Sequence, residues 1–465
     1  MSRTKQRKNS QEATKNLKYN EKKSKKVKAW VISVDMGYGH QRAAYPLKDI
    51  AYERIITANK DSCVSENDRR IWEEMRIFYE GVSRFKNIPL VGKFTFDVYD
   101  QLQKISPLFP FRDQSKSNFS TMRLKRLIAN GFGKSIVDYT SKEDIPIIAT
   151  HLIPALSFDY NNRQVYCIIT DTDINRAWVS NNPKESKITY FAPCKQAVLR
   201  LKQYGVPDER TIETGFPLPK ENIGYNDEIL KKDMMPRLVN LDPAGVFFDK
   251  YKGMLIDKLG LSSKQKFDAA SLAKFKTHKF TITYAIGGAG AQKEIAIDIV
   301  KSLREKISSD EIIINIIVGV KLELKVYIEQ YLGELGLIGY IGKNINIIFA
   351  FDKKTLFSTT NKILRVTDIL WTKPSEMSFY TALGIPIIIA PPIGAHENYN
   401  REWLEHIGSG FVQEDPQFAK DWLYYWLQDG RLADAAIQGF IDAPRRGTYN
   451  IEEYLSKKEF NKQKI

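Results

Sequence analysis

A few short loops in this chain gather residues whose types and spacing suit chemistry. The loop Asp35-Met36-Gly37-Tyr38-Gly39-His40 follows an apolar run and precedes a segment of helical periodicity. A histidine at a helix N-terminus has its pKa depressed, and its neutral ring suits a general base or a group that orients an acceptor hydroxyl. The same position also suits a capping or packing histidine. Thr170-Asp171-Thr172-Asp173 ends a second apolar run, so both carboxylates are expected at the same cleft, unless they cap a helix or form a turn. Thr150-His151 ends a third.

A second group lies in Leu370–Gly410, where two polar loops flank a buried apolar strand. Lys373, Ser375, Glu376 and Ser378 occupy the first, and His396, Glu397, Asn398 and Asn400 the second. Polar loops at the carboxyl ends of successive strands, each opening a helix, are where nucleotides bind in open α/β sheets. The run Tyr284-Ala285-Ile286-Gly287-Gly288-Ala289-Gly290-Ala291-Gln292 is a second glycine-rich strand-to-helix turn. Glycines there let backbone amides approach a phosphate, although they also serve close strand–helix packing. Neither glycine loop has the G-x-G-x-x-G dinucleotide spacing. Two such loops at equivalent places point to a cleft between two domains. The histidines are dispersed, no carboxylates show ligand spacing, and no metal site is expected.

These loops need a scaffold, and the chain's apolar runs supply one. Strands are expected at 26–34, 145–149, 165–170, 187–191 and 210–214, with helices at 41–56 and 194–204 and a mostly helical stretch at 57–144. A second strand-and-helix series has strands at 280–286, 311–318, 345–349, 366–371 and 386–390. Helices at 416–428, 431–440 and 450–463 end it. Alternation of this kind gives parallel, helix-covered sheets. At 465 residues, two domains are expected. The expected division is a basic tail (1–27), an N-terminal Rossmann-like domain (28–217), a helical interdomain connection (218–277), a C-terminal Rossmann-like domain (278–440) and a last helix (441–465) packing back on the N-terminal domain.

Composition narrows the class further. Hydrophobic residues at 43% and charged residues at 27% suit a globular protein. No apolar run reaches the roughly 18 residues that would cross a bilayer. Three scattered cysteines (Cys63, Cys167, Cys194) form no disulfide framework, which fits the cytoplasm. The net charge of +15 is concentrated in residues 1–28, which hold eleven Lys or Arg against Glu12 and Glu21. Such a block is a solvated, disordered arm or an attachment to anionic lipid headgroups. The apolar stretches 88–96 and 107–111, broken by Pro and Gly, are core or a lipid contact. Nucleic acid is not expected, since the folded part has no dense basic face.

The order of motifs resembles the GT-B nucleotide-sugar glycosyltransferases of family 28. It is most similar to the monogalactosyldiacylglycerol synthase and processive diacylglycerol glucosyltransferase branch, with the peptidoglycan lipid-linked N-acetylglucosaminyltransferase as a cousin. Gly37-Tyr38-Gly39-His40 with Ala43-Ala44 resembles the family's acceptor-side G-x-G-H-x-x-A-A loop. Thr170-Asp171, Trp178, Tyr204-Gly205-Val206-Pro207 and Thr214-Gly215-Phe216-Pro217 follow that branch's order. Gly287–Gln292 resembles the loop facing the donor diphosphate. Thr372-Lys373-Pro374, Gly384-Ile385-Pro386 and His396-Glu397-Asn398-Tyr399-Asn400 track the donor signature.

The resemblance implies two Rossmann-like domains whose parallel sheets face each other across a cleft. It implies transfer of a hexose from a UDP-sugar to an acceptor hydroxyl, with inversion, without metal or other cofactor, and with a lipid such as diacylglycerol, or else a glycan, as acceptor. His40 and Asp171 become the catalytic candidates, and Gly37, Tyr38, Gly39, His151 and Asp173 the acceptor-binding ones. Gly215, Gly287, Gly288, Gly290, Gln292, Lys373, Ser375, Glu376, Ser378, His396, Glu397, Asn398 and Asn400 become the donor-binding ones. The implied location is the cytoplasm, peripherally on the inner face of its membrane. One departure stands out: Phe379 occupies the position where the family carries a ribose-gripping Glu, and Glu376 is the nearest substitute. Other readings are a nucleotide-sugar-binding regulator of the same fold and a UDP-N-acetylglucosamine 2-epimerase.

Overall fold

A computed structural model describes residues 27–85, 105–288 and 290–462. The basic tail 1–26, the apolar stretch 88–96 and the last residues 463–465 lie outside the described residues.

The N-terminal sheet contains β1 (Ala29–Ser33), β2 (Ala51–Thr57), β3 (Ile147–Ala149), β4 (Val165–Ile168), β5 (Ile188–Ala192) and β6 (Thr211–Glu213). Its order is β2-β1-β3-β4-β5-β6, and every pairing is parallel. β1, Ala-Trp-Val-Ile-Ser, is buried along its whole length, as a central strand covered on both faces must be. The C-terminal sheet contains β7 (Phe280–Ala285), β8 (Ile312–Gly319), β9 (Ile345–Phe349), β10 (Ile369–Thr372), β11 (Ile387–Ile389) and β12 (Gly410–Val412). It runs β12-β11-β10-β7-β8-β9, again with parallel pairings. Two parallel six-stranded sheets, each Rossmann-like, make the GT-B architecture. In each, the order reverses beside the first strand, between β1 and β3 and between β7 and β10. Ligands bind outside the strand ends at such switch points.

Two local expectations fail. The helix expected over 41–56 is instead a six-residue helix Gly39–Ala44, a 3-10 turn Tyr45–Leu47 and the edge strand β2. Pro46 cannot donate a helical hydrogen bond, and the β-branched run Ile55-Ile56-Thr57 favours a strand. β12 was missed because three residues carry no period.

The segment 218–277 forms helices at Lys220–Ile223, Glu228–Leu241, Val246–Leu259 and Ala269–Ala273. Arg237, fully buried there, donates to the carbonyls of Thr367, Leu383 and Leu364 at 2.7–3.1 Å, which satisfies its charge and fixes this segment to the C-terminal sheet. The last helix, Gly447–Lys462, crosses back: Tyr454 packs its ring 5.9 Å from Tyr166 and 5.4 Å from Phe191 on the N-terminal sheet. Asn450 donates to the carbonyl of Thr214 at 2.8 Å.

Candidate functional site

A cleft of about 490 Å³ lies between the carboxyl ends of the two sheets. Its N-terminal wall is Asp35–His40 with Arg42, Lys60, Thr170 and Asp171; its C-terminal wall includes Gly287, Gly288, Lys321, Lys353, Lys373, Glu376, His396 and Glu397. Each wall is built at a switch point.

His40 opens the helix Gly39–Ala44, and its Nδ1 lies 2.6 Å from the carbonyl oxygen of Thr150, just past β3. A carbonyl can only accept, so Nδ1 carries the hydrogen and the neutral ring keeps its lone pair on Nε2. Burial lowers the His40 pKa, and the charge of Asp171 opposes that shift. His151 stands behind: its ring meets His40 edge-on at 4.6 Å, and its Nδ1 accepts from the amide of Ile153, capping the helix Leu152–Tyr160. Burial and the neighbouring His40 push its pKa well down. It is therefore a support for His40, not a lining residue of the cleft.

Asp171 and Asp173 separate. Asp171 lines the cleft, and its Oδ1 accepts from Asn400 at 3.0 Å. Asp173 is fully buried against Arg200, with contacts of 2.7 and 2.9 Å, and also accepts from the amide of Ile174. The expectation that both carboxylates face the cleft is thus corrected. A two-residue spacing on a strand would put them on one face, but the chain turns after β4.

On the opposite wall, Lys373 pairs with the buried Glu397, whose second oxygen accepts from the amide of Ile393 at 2.7 Å. Burial pushes the Glu397 carboxyl up, but Lys373, His396 and the Ile393 amide outweigh it and hold it below the usual range. Glu376 faces the other domain, 3.3 Å from Nε of the buried Arg42. Asn400 is buried and also spans the halves, accepting from the Thr172 amide and hydroxyl at 2.9 Å while donating to the carbonyl of Pro374. Phe379 is 2% exposed, stacked 4.7 Å from Phe216, just before the interdomain connection, and 5.4 Å from Trp403.

The structure therefore brings Gly37, Tyr38, Gly39, His40, Asp171, Gly287, Gly288, Lys373, Ser375, Glu376, His396 and Glu397 to one cleft. Other candidates lie off its walls. Gly215 packs on Pro444, with no room for a side chain, and Gly290 packs against Leu324. Gln292 donates to the carbonyl of Pro391, Ser378 is buried, and Asn398 is exposed.

Sequence reasoning missed Lys353 and Arg42. Lys353 opens the helix Lys353–Leu364 after β9 and pairs across the cleft with Asp35, which also holds Lys60 at 2.6 Å. Burial raises the Asp35 carboxyl, and the two lysines more than reverse that. The strand-end logic applied to β7 and β10 would have found Lys353 at the end of β9. Among the described residues, no group of three or more His, Cys, Asp or Glu is arranged to hold a metal ion. No described helix is long and apolar enough to cross a membrane.

With this fold and cleft, the chain is glycosyltransferase-like. It is 24% identical over 423 residues to a Bacillus cytotoxicus protein named processive diacylglycerol beta-glucosyltransferase, a match covering 84% of each chain. A Bacillus cereus protein of the same name is 23% identical over 353 residues, covering 75% of this chain and 68% of that one. A family model described as a domain of unknown function (DUF6938) matches residues 260–451. Among solved structures, UDP-GlcNAc 2-epimerase from Neisseria meningitidis bound to UDP-GlcNAc aligns with a TM-score of 0.45 at 11% identity, over 93% of this chain and 100% of that one. MurG from Acinetobacter baumannii aligns with a TM-score of 0.42 at 12% identity, over 79% of this chain and 89% of that one.

Proposed function

We propose that this chain transfers a hexose from a UDP-sugar to an acceptor hydroxyl with inversion, and that the acceptor is a lipid such as diacylglycerol. The observation that carries the reading is His40, whose Nδ1 is committed to the Thr150 carbonyl so that Nε2 is left as a base beside Asp171. In this reading His40 Nε2 takes the proton from the acceptor hydroxyl as its oxygen attacks the anomeric carbon, and the bond to the UDP oxygen breaks. Asp171 stabilises the imidazolium that forms. The amides of Gly287 and Gly288, with Lys373, meet the charge developing on the leaving diphosphate, so the step calls for no metal. Closure of the halves around the donor limits hydrolysis.

The lipid acceptor rests on the relatives' names and on a surface of the N-terminal half. Phe109, Phe111, Phe119 and Met122 are 52–68% exposed and alternate along the sequence with Arg112, Asp113, Lys116, Arg123, Lys125 and Arg126. Apolar side chains among cations suit an interface with anionic lipid. Flotation with anionic vesicles tests it, comparing the full chain with one lacking residues 1–27. Negligible binding by both removes the membrane.

The decisive experiment for the transferase is titration calorimetry with UDP, followed by a transfer assay from UDP-hexoses to diacylglycerol in vesicles. Absence of UDP binding would sink it. A second reading, a nucleotide-sugar-binding regulator, is favoured by Phe379, which is packed into the core where the resemblance expects a ribose-gripping carboxylate. UDP binding without transfer to any lipid or glycan acceptor selects that reading.

A further inference from the structure

Tyr38 belongs to the N-terminal loop, yet its ring lies inside the C-terminal half. Its hydroxyl accepts a hydrogen bond from the amide of Val320, just past β8, at 3.2 Å. Phe357 meets the ring edge-on at 6.2 Å, and the Lys353 ammonium lies 5.1 Å from its centroid. The ring rests on two glycines. A Cβ at Gly319 would fall 2.2 Å from the Tyr38 oxygen, and one at Gly288 would fall 3.3 Å from a ring carbon. Gly319 also has φ of +81°, so both its backbone and its missing side chain keep this space open.

These features define a slot for a flat ring: a glycine floor, an aromatic edge, a cation over one face and an amide donor aimed at an acceptor on the ring's rim. A pyrimidine of a nucleotide has those properties, with a carbonyl oxygen where Tyr38 presents its hydroxyl. The slot also lies at strand ends, beside the glycine loop assigned to the diphosphate.

We infer that this slot receives the nucleobase of the donor and that Tyr38 is its internal occupant, which must leave before the nucleotide can bind. The inference rests on the donor reading above. Because Tyr38 and Asp35 share one loop, and Asp35 pairs with Lys353 beside the slot, release of the ring and opening of the halves are coupled. An occupant that fills the slot in about 90% of molecules lowers the apparent nucleotide affinity about tenfold.

The test uses the full chain as wild type, Tyr38→Ala, Tyr38→Phe and Gly319→Ala. UDP binding is measured by calorimetry, and exchange of the Val320 amide is followed without nucleotide. Tyr38→Ala is expected to tighten UDP binding about tenfold or more. Tyr38→Phe, which keeps the ring and loses its hydrogen bond, is expected to fall between it and wild type. Gly319→Ala both crowds the Tyr38 ring and narrows the slot, so it is expected to speed Val320 exchange without tightening UDP binding. The Val320 amide exchanges faster in both Tyr38 variants. UDP binding that is unchanged or weaker in Tyr38→Ala overturns the inference while leaving the donor reading intact. Absence of UDP binding in wild type and both Tyr38 variants, with Val320 exchange still accelerated, overturns the donor reading and this inference with it.

Discussion

The two switch points share a plan and differ in what each presents. Between β1 and β3, His40 is framed by the Thr150 carbonyl and backed by His151, and Asp171 is held from the other half by Asn400. Past β10, the position expected to grip a ribose is Phe379, clamped between Phe216 and Trp403. The N-terminal half thus presents reactive atoms in fixed orientation. The C-terminal half has an aromatic contact there, which ties Phe216 to the helix Ala395–His406. The comparison teaches that, under the proposed function, the two halves separate the roles: proton transfer would rest on the N-terminal loop, and nucleotide recognition on a wall that has no carboxylate at Phe379.

The largest effect that can break this comparison is on rate. His40→Ala is expected to lower transfer about 10²- to 10⁴-fold, the usual worth of a positioned general base, with UDP affinity unchanged. Steady-state assays beside calorimetry check both. Activity near wild type would remove His40 from the chemistry.

Next is the aromatic clamp. Phe379→Ala removes a buried ring from a stack, and is expected to cost about 3–5 kcal/mol in chemical denaturation. A loss below about 1 kcal/mol would mean that the surrounding rings collapse freely, and that Phe379 is no structural substitute. Asn400→Ala comes third. It leaves the buried Thr172 amide without its partner, for a cost of about 1–3 kcal/mol.

Much of this molecule was legible in its sequence, and the exceptions have physical causes. Long apolar runs such as Ile312–Gly319 announce themselves because a strand buried on both faces needs no polar alternation. The edge strand β2 carries Glu53 and Arg54 at its centre, so its pattern passed for a helix. In the site, the glycine loops, His40, Asp171 and Lys373 were readable because strand-end loops have a recognisable order. The cross-cleft partners were not. Asp35 with Lys353, Arg42 with Glu376 and Asn400 with Thr172 join residues far apart in the chain, and pairing across two domains leaves no local spacing. Glu376, considered as a ribose ligand, faces Arg42 for the same reason.

The smallest effect sharpens the N-terminal side. His151 is buried and held neutral, its pKa pushed well below the ordinary value by burial and by His40. In the unfolded chain it titrates near 6.5. The unfolded state therefore binds the extra proton, and stability rises with pH through this window. The contribution is present above about pH 6.5 and is lost as pH falls toward the native value, by about 0.7 kcal/mol between pH 7 and pH 6. His151→Asn keeps a side-chain acceptor for the Ile153 amide, since Asn is a good N-cap, but cannot titrate. Denaturation midpoints at pH 7 and pH 6 should therefore converge in this variant relative to wild type. An unchanged difference would assign the slope elsewhere and show that the imidazole behind His40 is solvated enough to take a proton.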